Sequence, residues 1–171
     1  MTGVGTPRTR VWIACAAALG AVALAAGCGG SSSTAKSGVA GASHTARTFT
    51  VKTARVRGLG TILVNNKGFT LYMFKPDKQK RVTCKGSCAA VWPPLKIKAG
   101  QKPTAGGLAR KRLLGSDPNP SGGRVVTYNK WPLYTYVVDR KPGQATGQAV
   151  DLNGGLWYVL SPGGKVITKK P

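Results

Sequence analysis

The chain has 171 residues, with 26 Lys or Arg against four acidic residues and one His, and a formal net charge of +22. Length sets one domain as the default. The charge excludes an acidic binding protein and favours anionic partners such as phospholipid headgroups and wall polymers.

Residues 1–27 read as an export signal. Arg8 and Arg10 form a basic start, residues 11–27 are small and apolar, and no acid interrupts them. A membrane span wants about 20 apolar residues, and this run gives way to Gly and Ser directly after Cys28. The ending Leu24-Ala25-Ala26-Gly27-Cys28 resembles the lipobox of bacterial lipoproteins. That resemblance implies that Cys28 becomes the mature N-terminus and is lipidated, with several acyl chains holding the protein on the extracytoplasmic face of the cell membrane. Residues 28–48 then form a Gly/Ser/Ala/Thr-rich tether, too poor in large apolar groups to bury itself. His44, the sole histidine, falls in the tether.

The folded part is expected over 49–171, as one all-β domain. Residues 49–56 approximate strand alternation, 61–64 give a second strand, and 69–74 a third beyond the Asn65-Asn66-Lys67-Gly68 turn. Pro76 ends the ladder because it has no N–H to donate. A basic loop over 78–91 holds Cys84 and Cys88, with a short helical period at 88–91, and Trp92-Pro93-Pro94 follows. Pro and Gly punctuate 96–123 as long loops, with a candidate strand at 108–114. Strands are then expected at 125–128, 131–138, 156–160 and 165–168.

Within this order one pattern occurs twice. Tyr72-Met73-Phe74-Lys75-Pro76-Asp77 returns as Tyr134-Thr135-Tyr136-Val137-Val138-Asp139, an offset of 134 − 72 = 62. Read upstream without gaps, Val64 meets Val126, Phe69 meets Trp131 and Leu71 meets Leu133, while Trp92 is echoed by Trp157. The pattern predicts two related halves, about 56–95 and 120–160, each a hairpin plus a Trp-bearing strand, sharing one core. A half of about 60 residues would not stand alone.

The doubled Tyr-x-aromatic-x-x-Asp motif, Cys84-x-x-x-Cys88 before Trp92-Pro93-Pro94, and Tyr128-Asn129-x-Trp131-Pro132-Leu133-Tyr134 resemble the bacterial secreted-repeat lipoproteins, over about 56–168. The resemblance implies a cell-envelope address and no assigned activity. Lys130, where the family has Gly, and Val125, where it has Gln, depart from the pattern.

Three roles are open for Asp77 and Asp139. Each could fix a turn by accepting backbone N–H bonds, line a polar–aromatic ligand cleft with Tyr72, Phe74, Tyr134 and Tyr136, or act as half of an acid–base pair. The first is expected. Cys84 and Cys88 form the even pair left after export, which favours a disulfide in an oxidising compartment. Redox exchange at this pair is the competing reading. Metal and haem sites lack ligands, since zinc wants four N or S donors and no Cys-x-x-Cys-His is present.

The folded part has no Glu and no His, the groups that most often carry proton transfer. No phosphate loop, nucleophile elbow or zinc helix is present. The expectation is therefore a lipid-anchored envelope module that binds or builds, with no catalytic residue, cofactor or metal. The alternative is an extracytoplasmic redox protein. Nucleic acid is not expected as a partner, because the cations are scattered in pairs. The sequence points to no particular protein partner.

Overall fold

The computed structural model describes residues 50–77 and 81–170. The export signal, Cys28 and the tether with His44 lie outside the described residues, and no helix within them is long and apolar enough to cross a membrane.

The chain opens with an antiparallel hairpin, β1 (Val51–Val56) and β2 (Gly60–Asn65), paired from Val51↔Asn65 to Val56↔Gly60. The side chain of Asn65 then closes the next turn, its Oδ1 accepting the N–H groups of Lys67 and Phe69. After β3 (Tyr72–Phe74) come the five-residue helix α1 (Ser87–Val91) and the two-residue β4 (Lys96–Ile97). A second hairpin follows, β5 (Leu114–Pro118) with β6 (Arg124–Tyr128), and β6 also pairs with β4 and β7 (Trp131–Pro132). The last strand group has β9 (Leu156–Leu160) at its centre, flanked by β3, β8 (Val150–Asp151) and β10 (Val166–Ile167).

The fold is all-β with two related halves, and its registers correct the ungapped alignment. In the first hairpin the paired residue numbers sum to 116, and in the second to 242. The half-difference is 63, not 62. Leu71 N–H donates to Leu63 O, whereas Leu133 N–H donates to Val126 O. Leu63 is thus the counterpart of Val126, and Val64 of Thr127. The residue is lost in the turn. Asn129 and Lys130 form a two-residue connection with φ of 47° and 69°, the paired left-handed geometry that suits a tight hairpin. A lysine, not a glycine, holds the second of these positions.

Three expected strands come out shorter or displaced. Only Tyr72–Phe74 of residues 69–74 is strand, and only Trp131–Pro132 of 131–138. Residues 133–137 are bonded all the same, but to a succession of partners: Val126, Tyr72, Pro93 and Val91 carbonyls in turn. Pro93 and Pro94 have no N–H to return, so no continuous ladder forms. For the same reason Trp92 is not in a strand. It caps α1, its N–H donating to Cys88 O, while Trp157 sits in β9. The candidate strand at 108–114 is a 3-10 turn, Lys111–Leu113, leading into β5. The β hairpins also begin earlier than residues 56 and 120, at Val51 and Leu114.

Both halves feed the same two layers of core. Ile62 and Val125 join the aromatic cluster, with Tyr72, Phe74, Trp92, Tyr134 and Trp157. Leu63 and Val126 face the other side, with Leu71, Met73, Leu133 and Leu160. Alternation along a strand sends adjacent residues to opposite faces, and here both faces are covered.

Candidate functional site

The doubled motif folds onto itself across a local twofold relation. Tyr72 and Tyr134 face each other as an antiparallel bridge, each N–H donating to the other's carbonyl at 2.9 Å. Their side chains cross over. The Tyr72 hydroxyl donates to Asp139 Oδ2 at 2.7 Å, and the Tyr134 hydroxyl donates to Asp77 Oδ2. Each half therefore supplies the tyrosine that satisfies the other half's aspartate.

The second carboxylate oxygen is satisfied locally. Asp77 Oδ1 accepts the Thr83 N–H at 2.7 Å and the Thr83 hydroxyl at 2.5 Å. Asp139 Oδ1 accepts the same two groups of Thr146, at 2.9 and 2.6 Å. The aspartate's own N–H closes a turn, onto Phe74 O in one half and Tyr136 O in the other. Thr83 and Thr146 are the residues that sequence reading missed. Their signal was a threonine six or seven positions after the aspartate in both copies.

The aromatic residues exchange in the same way. Phe74 stacks on Trp157 with ring centres 4.2 Å apart, Trp157 on Trp92 at 3.9 Å, and Trp92 on Tyr136 at 3.9 Å. The four rings form one continuous stack, in which each tryptophan lies against the motif aromatic of the opposite half. Tyr72 and Tyr134 meet Trp92 and Trp157 edge-on, at 5.4 and 5.2 Å. Aromatic pairs of this kind contribute about 0.5–1.5 kcal/mol each beyond burial of their area. Gly147 belongs to the packing: a Cβ there would come within 2.6 Å of the Trp92 ring, while its N–H donates to the Tyr72 hydroxyl oxygen.

The electrostatics follow from burial. Tyr72, Tyr134 and Asp77 are 0% exposed and Asp139 is 5% exposed. Burial, and then the facing carboxylate, push both phenols far above the ordinary tyrosine range. Burial also pushes the Asp77 carboxyl above its ordinary value, opposed by hydrogen bonds from Thr83, Tyr134 and the Cys84 backbone. The carboxylates approach the opposite half's tyrosines, not open water, so these four side chains form a buried link between the halves.

Cys84 and Cys88 are joined in a disulfide, with Cα atoms 5.2 Å apart. It closes the loop between Thr83 and α1, with the cysteines 2% and 8% exposed. The two indoles differ in one respect. Trp157 Nε1 donates to Leu152 O at 3.0 Å, while Trp92 Nε1 is buried without a partner. Among the described residues no group of three or more His, Cys or acidic side chains is placed to hold a metal ion.

A family model named for lipoproteins and described as a secreted repeat of unknown function matches residues 53–96 and again 118–161. Together these are 44 + 44 = 88 of the 171 residues. Each match takes in one copy of the motif; the first includes Trp92, and the second Trp131 and Trp157. No curated protein and no solved structure matches the chain.

Proposed function

Because the chain belongs to the family of secreted repeats of unknown function, we propose that it is a lipid-anchored cell-envelope protein. Cys28 carries the anchor. The folded domain is a binding or structural module that presents a basic surface to anionic lipid headgroups or wall polymers.

The observation that supports this reading is the burial of Tyr72, Asp77, Tyr134 and Asp139 within the repeated motif. Its tyrosines and aspartates hold the two halves together, which leaves charge as the chief chemistry of the surface. From Thr50 onward there are 22 Lys and Arg (26 less Arg8, Arg10, Lys36 and Arg47) against four Asp, of which Asp77 and Asp139 face inward. The redox alternative gains no comparable support. Thiol–disulfide exchange needs a sulfur that an attacking thiolate can reach, and Cys84 and Cys88 are both buried.

Two measurements test the reading. Metabolic labelling with a fatty-acid analogue should mark the wild-type chain and not Cys28→Ala; equal labelling of both defeats the anchor. The unanchored Cys28→Ala chain should then sediment with anionic vesicles, not with neutral ones, and come off at high salt. Equal binding to neutral vesicles would remove the anionic partner.

A further inference from the structure

The two halves differ at one place where their local symmetry leads one to expect a match. In the second half, the loop after Asp139 is closed by the chain's own C-terminal segment. Gln148 stands two residues after Thr146, and its Nε2 donates to the carbonyls of Ile167 and Lys169 at 2.6 and 2.8 Å. Lys169 in turn lines a cleft against the tip of the first hairpin, beside Val56.

In the first half the corresponding position, two residues after Thr83, is Lys85. The counterpart of Val56 across the registers is Asn119, at the tip of the second hairpin. Residues 81–83, Lys85 and 118–120 bound a cleft of about 610 Å³, whose lining among the described residues includes none from the C-terminal segment. After β4 the chain leaves along β1 instead, with Thr104 O accepting the Val51 N–H.

The lining of this cleft is rich in donors. Arg81 and Lys85 are exposed at its rim. Asn119 is 7% exposed, and its Oδ1 accepts the Ser121 N–H, but its Nδ2 is buried with no hydrogen-bond partner. A buried amide donor without an acceptor costs about 1–3 kcal/mol, a cost that an acceptor held in the cleft would remove. Val56, at the same place in the other half, is apolar and makes no such demand. Asp77, the carboxylate behind Thr83, has its oxygens turned to Thr83 and Tyr134.

We infer that this cleft binds a phosphate group, free or within a phosphodiester, with Arg81 and Lys85 supplying the charge and the Asn119 amide a directed hydrogen bond. Two cations and one neutral donor suit an oxyanion with several acceptors, and Arg favours the planar, two-point recognition of such groups. The inference rests on the anionic-partner reading above and narrows it to one site.

The test follows the Asn119 side-chain amide by nitrogen–proton correlation spectroscopy, using the full chain in a neutral detergent. Inorganic phosphate, glycerophosphoglycerol and acetate are titrated separately. Saturable movement of the Asn119 amide with either phosphate compound is expected, with little from acetate. Saturation by inorganic phosphate alone points to free phosphate, and stronger saturation by the diester points to a headgroup or polymer. Arg81→Gln combined with Lys85→Gln should weaken binding at least tenfold, and Lys67→Gln with Lys165→Gln, beside the opposite ends of the two hairpins, by less than twofold. An unmoved Asn119 amide, or equal losses in the two double variants, overturns the site. If anionic vesicles still bind in that case, the basic-surface reading survives; if they do not, both fall.

Discussion

The Asp77 corner and the Asp139 corner perform one task with different means. Both hold a threonine N–H and hydroxyl on one carboxylate oxygen and a tyrosine from the opposite half on the other. The Asp139 corner is tied by amides. Gln144 Oε1 accepts the N–H groups of Arg140 and Lys141, and Gln148 secures the C-terminal carbonyls. Its tryptophan strand, β9, is flanked by neighbours on both sides. The Asp77 corner has no such support, because Pro93 and Pro94 prevent an equivalent strand from forming. A covalent tie, Cys84 to Cys88, stands there instead. The difference shows that the carboxylate geometry is what both corners keep, and that the surrounding loop is free to change.

The largest effect should come from removing a carboxylate. Asp77→Ala or Asp139→Ala strands a tyrosine hydroxyl in the core, at about 1–3 kcal/mol for a buried group left unpaired, and releases the N–H and hydroxyl of a threonine that is half-buried at Thr83 and exposed at Thr146. We expect a loss of about 2–4 kcal/mol at Asp77 and about 1–3 kcal/mol at Asp139, read as a fall in melting temperature, with Asn recovering part of it. A stable Ala variant at both corners would end the structural account of the motif.

The tyrosines sharpen the comparison through pH. In the unfolded chain a phenol ionises near its ordinary value of about 10. In the folded chain burial holds Tyr72 and Tyr134 protonated well beyond it. The folded state therefore binds more protons above pH 10, and stability, intact below that value, falls as pH rises further. Each buried tyrosine contributes about 1.4 kcal/mol per pH unit to that fall. Tyr72→Phe and Tyr134→Phe should each remove one such share from the alkaline slope of urea-unfolding free energies. Unchanged slopes would show that the hydroxyls are not held as described.

The smallest effect should separate the corners outright. Loss of the disulfide through Cys84→Ser with Cys88→Ser should cost about 2 kcal/mol at most, since the loop it closes is short. Its signature is local: hydrogen exchange should quicken at the Thr83 amide and stay unchanged at Thr146. Equal changes at both would mean that the corners are not independent.

Much of this was legible in the sequence. The two copies, the hairpins and the helical turn before Trp92 could be read from alternation, turn residues and prolines. The slip between Leu63 and Val126 could not, because both neighbouring positions in each strand are apolar or β-branched and either register looks acceptable. Nor could the exchange between halves. A repeat states that two tyrosines and two aspartates exist, and pairing within a copy or between copies produces the same string. Distances alone decide it. The cleft was hidden for a related reason: it depends on where the C-terminal segment goes, and residues 162–170 carry no mark of their destination.

The crossed Tyr–Asp bonds also govern the order in which the chain can fold. Tyr72 must wait for Asp139, 67 residues later, and Trp92 for Tyr136 and Trp157. During synthesis the first half emerges with one oxygen of its carboxylate, its tyrosine hydroxyl and half of the ring stack unmatched. Contacts of such separation pay their loop-closure entropy before they return anything, which places folding among the slow, non-local class. The first hairpin can form early, but the core closes only when β9 arrives, and any truncation before residue 157 should leave a chain with no committed structure.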